Sequence, residues 1–137
     1  MCETPPMQIN GLRAVVVGGA SGMARATGEL VVAGGGAAAI LDRPESDGAE
    51  VAEELGGSWH PCDVLDFEGI ELVIGEAAHA LGGIDVVVTT AGGGKAGRTL
   101  SRQGPYALDD FRRVVDLNLI GTFNVNRLAA EHIALND

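Results

Sequence analysis

Apolar positions along the chain fall into short blocks, each closed by glycine, proline or an acid. Residues 12–17 (LRAVVV) are rich in β-branched side chains and stop at Gly18-Gly19, which predicts a buried strand. From 22 to 34 the period becomes helical, with Met23, Thr27, Leu30, Val31 and Gly34 on one face. The run Gly34-Gly35-Gly36 ends that helix, because glycine takes the left-handed exit without steric cost. Residues 37–41 (AAAIL) read as a second strand closed by Asp42. Residues 44–55 (PESDGAEVAEEL) read as a second helix, acidic at its start, where the helix dipole favours negative charge. Residues 57–62 (GSWHPC) form a weaker third strand, and Pro61 places it at a sheet edge or a strand end. A third helix over 66–81, a fourth buried strand over 84–90 (IDVVVTT), a glycine-rich loop and a long apolar helix from about 109 to 135 complete the pattern.

Strands alternating with helices imply an open α/β sheet with parallel pairing. No internal repeat and no linker marks a second domain, and 137 residues suffice for one sound core. Apolar residues make up 46% and charged residues 20%, a globular balance. The net charge is −10, with one lysine, Lys95, so the basic stripe of a nucleic-acid binder is missing. Cys2 and Cys62 form no spacing pattern, which suits a reducing, cytoplasmic setting without disulfides. No run reaches membrane-spanning length, and "MCETPPMQIN" has no apolar signal core, so no membrane partner is expected. His60, His79 and His132 lie on separate elements without ligand spacing, so no metal is expected.

The turn in "VVVGGASGMARATGEL" lies between the first strand and the first helix. There, free helix N–H groups and the helix dipole attract an anion such as a dinucleotide pyrophosphate. Val17 spoils a G-x-G-x-x-G reading. G-x-x-x-G-x-G fits better, with Gly18, Gly22 and then Ala24 in place of the last glycine. A plain glycine-rich corner is the competing reading. Asp42 adds weight, since an acid about twenty residues on can accept hydrogen bonds from an adenosine ribose and would repel a 2′-phosphate. Arg43 pulls the other way, as a phosphate partner; Asp42 could also be a turn residue or the partner of Arg43.

In the order in which they occur, these segments resemble the short-chain dehydrogenases/reductases. "VVVGGASGMARAT" resembles that family's glycine motif, "LDR" its strand-end acid, and "CDV" (62–64) its adenine-side segment. "TTAGG" (89–93) resembles its N-N-A-G segment, and "FRRVVDLNLIGTFNVNRLAA" the helix that carries its catalytic asparagine. The likeness runs from about residue 9 to the end. "GGASGM", the 93–108 loop and "FRRVVDLNLIGTFNVNRL" are most similar to the type-2 3-hydroxyacyl-CoA dehydrogenase branch, which acts on hydroxyacyl-CoA and hydroxysteroid substrates.

The resemblance implies a Rossmann-like doubly wound parallel sheet of about four strands and four helices, incomplete because the C-terminal strands are missing. It implies NAD as cofactor. Gly18, Ser21, Gly22 and Met23 would frame the pyrophosphate, Asp42 would bind the adenosine ribose, and Asp63 and Val64 would contact adenine. Ala91 and Gly92 would line the strand end near the nicotinamide-side ribose, and Asn118 would be the catalytic asparagine. Ser21 stands where NADP-preferring members often carry a basic residue. Val17, Ala24, Thr89 and Thr90 depart from the family pattern and bear on affinity more than on fold.

The family's reaction also needs a serine and a tyrosine followed four residues later by a lysine. The only tyrosine, Tyr106, is followed at that spacing by Asp110, so Y-x-x-x-K is absent. A tyrosine near its free pKa of about 10 is a poor base at neutral pH without such help. The expectation is a single NAD-binding domain over 1–137 that supplies the cofactor half of an oxidoreductase acting on a small hydroxyl or carbonyl substrate. The alternative is a non-catalytic dinucleotide-binding or interaction module.

Asn118 sits among Val114, Val115, Leu117, Leu119 and Ile120, so it is expected to be buried and hydrogen-bonded, as a structural brace or as part of a proton relay. Lys95, Arg98 and Arg102 are either a solvated loop or a greeting for an anionic substrate, and Ser101 has no base near it in sequence. An apolar strand left at the sheet edge and a final helix apolar on several faces (Phe111, Val115, Leu119, Phe123, Leu128) call for a partner. That partner would be a second copy in a homo-oligomer or the family's C-terminal half.

Overall fold

The computed structural model describes residues 7–136, so Cys2 lies outside the described residues. Four parallel strands, β1 (Arg13–Val17), β2 (Ala37–Asp42), β3 (Ser58–Pro61) and β4 (Val86–Thr89), form one sheet in the order β3-β2-β1-β4. Val15 of β1 pairs with Ala39 of β2 on one side and Val87 of β4 on the other. Pro61, which has no N–H to give a ladder, is the last residue of the edge strand β3, as its chemistry requires.

Alternation along β1 and β2 divides the core into two layers. Ala14, Val16, Ala38 and Ile40 face α1 (Gly22–Ala33) and α2 (Gly48–Leu55). Val15, Val17, Ala39 and Leu41 face α3 (Gly69–Leu81) and the C-terminal helix α5 (Thr122–Ala134). Because both faces are covered, both strands read as unbroken apolar runs. Each fully buried valine, leucine or isoleucine contributes about 1.5–3 kcal/mol relative to exposure.

The helices depart from expectation in informative ways. The buried face of α1 is Ala24, Gly28 and Val31, whereas Met23 and Leu30 are 78% and 69% exposed. The helix lies so close to the sheet that a Cβ on Gly28 would already touch Leu55 and Ile40, so small residues, not large ones, mark the contact. As expected, the glycine run after Ala33 ends the helix, and within it Gly35 (φ +87°) takes the left-handed exit. The α2 helix starts at Gly48 because Ser46 closes a turn onto the Arg43 carbonyl through both its N–H and its hydroxyl. In the same way α3 starts at Gly69, whose N–H donates to Asp66 Oδ1 at 3.0 Å. The 93–108 loop contains a small antiparallel hairpin, β5 (Leu100–Ser101) and β6 (Gly104–Pro105).

The long final helix is broken into α4 (Leu108–Val115), a π turn (Asp116–Gly121) and α5. The widened turn changes the phase of the helix, so α4 and α5 do not share one buried face. Phe111, Leu119 and Phe123 are 56%, 65% and 67% exposed, whereas Leu128 is buried. No helix among the described residues is long and apolar enough to cross a membrane.

A polar clamp closes the N-terminal end of the sheet. Arg13 of β1 gives its backbone N–H and Nε to Asp85 Oδ2 (2.8 and 2.9 Å) and its terminal nitrogen to Oδ1 (2.6 Å). It also reaches the Gly82 carbonyl and Asn136 Oδ1. The clamp ties β1, the turn before β4 and the end of α5 together. Hydrogen bonds from Arg13, against an opposing desolvation cost, hold the Asp85 pKa below the ordinary aspartate value. A depressed folded pKa means that the stabilisation is present above the unfolded pKa and is lost as pH falls through the folded one. We therefore expect Asp85→Asn to lower the thermal midpoint at pH 7 by about a few °C. The gap from wild type should close as pH drops below about 4, read by melts from pH 7 to pH 2.5; a gap independent of pH contradicts this.

Candidate functional site

The order β3-β2-β1-β4 reverses direction between β1 and β4, and the C-terminal ends of strands at such a switch point leave a crevice. A cleft of about 520 Å³ opens there. Its walls include Val17 at the end of β1, Asp42 at the end of β2, Cys62 after β3, and Thr90 and Ala91 after β4.

The turn from β1 to α1 forms the floor. Gly18 and Gly19 spend their N–H groups on the Leu41 carbonyl (2.8 and 3.1 Å), and Ala20 donates to Asp42 Oδ2 at 2.9 Å. Among the described residues, no acceptor meets the N–H groups of Ser21, Gly22 and Met23, and no side chain caps α1. Unsatisfied amides at a helix start, with no acid in the first turn, leave a place for an anion. Gly18 has φ +83°, and a Cβ there would come within 2.8 Å of the Ala91 backbone nitrogen. Only glycine lets the turn pass that close to the end of β4. At Gly22 (φ +58°) a Cβ would meet no protein atom within 4 Å, so the glycine keeps room on the cleft side.

Asp42 is neither a bare turn residue nor the partner of the Arg43 guanidinium. Its Oδ1 accepts the Arg43 backbone N–H at 2.8 Å, while the Arg43 side chain pairs with Glu45 at 3.0 Å. The carboxylate is thereby fixed at the cleft with lone pairs to spare for hydroxyl donors. Asp63 holds the Leu65 N–H at 2.9 Å, which shapes the turn after β3. Burial, with help from Asp42 and Asp63, pushes the Cys62 thiol up to about 12, so it stays a neutral wall group.

All nine residues expected to bind a cofactor (Gly18, Ser21, Gly22, Met23, Asp42, Asp63, Val64, Ala91 and Gly92) line this one cleft. Asn118 does not line it but adjoins it. It accepts the Gly93 N–H at 3.1 Å and donates to the carbonyls of Gly93 (2.7 Å) and Val114 (2.8 Å). The expectation of hydrogen bonding holds, but the expectation of burial does not: Asn118 is exposed. It lies in the π turn, which aims it at the loop after β4 rather than into the core. The same turn brings Gly121 against the Val64 carbonyl, where a Cβ would stand 3.1 Å away.

The residues that depart from the family pattern find local solutions. Val17 and Ala24 are fully buried in the two core layers, and Thr89 donates to Asn126 of α5 at 2.9 Å. Arg113 and Leu117 of the α4 region also line the cleft. Nothing in the apolar pattern singles out Arg113; only its distance along the helix from Asn118 could have done so.

Outside the cleft, the Tyr106 hydroxyl donates to the Lys95 carbonyl at 2.6 Å and its ring packs under Gly97. The Lys95 ammonium pairs with Asp110 at 2.7 Å, and that hydrogen bond raises its pKa. The protonated lysine and the donating tyrosine are both engaged in organising the loop. His60 is pushed down by burial, against the pull of Glu76. Among the described residues, no group of three or more His, Cys, Asp or Glu is placed to hold a metal.

The short chain dehydrogenase family profile matches residues 13–136. The bovine 3-hydroxyacyl-CoA dehydrogenase type-2 is 41% identical over 133 residues, 94% of this chain and 51% of that protein. Its human counterpart is 40% identical over the same shares. A short chain dehydrogenase from Burkholderia cenocepacia, solved in complex with NADP, superposes with a TM-score of 0.79 at 28% identity, covering 93% of this chain and 53% of that one. The chain spans about half the length of the curated relatives it matches.

The Gly18 contact is directly testable. Gly18→Ala should cost about 1–3 kcal/mol of stability, from the left-handed backbone and the Ala91 clash. Urea unfolding measures it, and a change below about 0.5 kcal/mol would show that the close approach is not required.

Proposed function

The chain belongs to the short-chain dehydrogenase family, and on that premise we propose that residues 1–137 are one domain that holds the nicotinamide dinucleotide of an oxidoreductase. The observation that carries the reading is the convergence of the nine residues that the family resemblance implies on one cleft whose floor offers unsatisfied amides. Ser21, Gly22 and Met23 take the pyrophosphate, Asp42 the adenosine ribose, Asp63 and Val64 the adenine, and Ala91 and Gly92 the second ribose. The nicotinamide, when bound, accepts or gives hydride. The substrate is a hydroxyl or carbonyl compound, of the 3-hydroxyacyl-CoA or hydroxysteroid kind by likeness to the curated relatives.

NAD is favoured over NADP. A carboxylate fixed at the ribose repels a 2′-phosphate, and the neighbouring guanidinium is engaged by Glu45. Asn118 serves the reaction by holding Gly93 and, with it, the strand end beside the nicotinamide. Tyr106 and Lys95 bind each other's loop instead of working as an acid–base pair, so this stretch alone should bind the dinucleotide without turnover.

Calorimetry with NAD is the test. Asp42→Ala should weaken NAD by about 10-fold or more, the worth of hydrogen bonds to a charged group, and should shrink the preference over NADP. Equal affinity in both proteins would leave Asp42 out of the site. The exposed side chains of Phe111, Leu119 and Phe123, and a β4 edge that pairs with no further strand among the described residues, favour self-association or pairing with a C-terminal half. Light scattering should show a species larger than the 14.0 kDa monomer, and a stable dilute monomer would contradict it.

A further inference from the structure

We propose that Arg113 closes over the adenine ring of the bound dinucleotide, its guanidinium laid on the face of the base. The inference rests on the dinucleotide reading above and extends it to a residue outside the recognised motifs. Two arginines line the cleft, Arg43 and Arg113. Arg43 is paired with Glu45 at 3.0 Å. On the α4 side, Arg112 is paired with Asp109 at 3.2 Å and Lys95 with Asp110 at 2.7 Å. Among the described residues Arg113 pairs with no carboxylate, although Asp116 stands three residues along.

Its position selects the base. Arg113 and Leu65 together line both the cleft and a shallow depression on its flank that also includes Phe67, Asp109, Asp110 and Asp116. Leu65 directly follows Asp63 and Val64, the adenine-side pair, so Arg113 stands at that end of the cleft. A planar, weakly hydrated guanidinium stacks well on an aromatic face, and an ammonium does not reproduce that contact. Charge adds to the case. A protein of net charge −10, with Asp42 and Asp63 in the cleft, must receive an anionic ligand, and Arg113 is the cleft cation left unspent.

Calorimetry on the whole chain tests this with NAD and ADP as probes, on wild type, Arg113→Gln and Arg113→Lys. Arg113 is exposed, so both variants should keep the wild-type melting temperature. We expect Arg113→Gln to weaken NAD and ADP by the same factor, about 3- to 30-fold. Arg113→Lys should recover little of the loss. NAD binding by Arg113→Gln within twofold of wild type overturns the proposal, as does full recovery in Arg113→Lys or a loss for NAD that ADP does not share. Wild type that binds neither probe takes down the dinucleotide reading itself, and is told apart because no variant is then needed.

Discussion

One hydrogen bond organises the functional end of this molecule: the Ala20 N–H donates to Asp42 Oδ2 at 2.9 Å. It ties the end of β2 to the turn that follows β1. Gly18 and Gly19, donating to the Leu41 carbonyl beside it, hold the same turn down on the sheet. With those three amides spent inward, the next three, of Ser21, Gly22 and Met23, are left outward without acceptors. The same bond fixes the carboxylate that would clasp a ribose. The proposed anion site and sugar site thus share this contact, with the Gly18 and Gly19 bonds holding the turn and the Arg43 N–H holding the other carboxylate oxygen.

The two ends of the sheet are built on opposite principles. At the N-terminal end, Arg13, Asp85 and Asn136 satisfy one another and close the structure. At the C-terminal end, glycines let backbone pass close to backbone while leaving polar groups unfilled. The loop after β4 is steadied from outside the cleft, by Asn118 at Gly93 and by Tyr106 at Lys95. Rigidity around an open cleft preorganises a site, because ordering costs are met in folding rather than in binding.

The strands were legible because both faces of β1 and β2 are covered, which makes their sequences continuous apolar runs. That these residues would gather at one cleft was legible because turn, strand-end acid and post-strand loops come at fixed places in this architecture. Three features were not. Of the contact face of α1, Val31 was expected, but Ala24 and Gly28 are too small to stand out in the apolar pattern, so the larger Met23 and Leu30 misdirect the reading. The π turn at Asp116–Gly121 leaves no mark in the residue pattern, and with it went the exposure of Asn118. Arg113 reads as one surface arginine among eight until the fold brings it beside Leu65.

In the proposed function, the free amides at the start of α1 receive a diphosphate. An amide-resolved NMR titration of the chain with NAD observes them individually. The largest shifts should fall on Ser21, Gly22 and Met23, with accompanying shifts at Ala91 and Gly92 across the cleft. Shifts concentrated elsewhere, such as the groove between α3 and α5, with these amides unmoved at saturation, would contradict it.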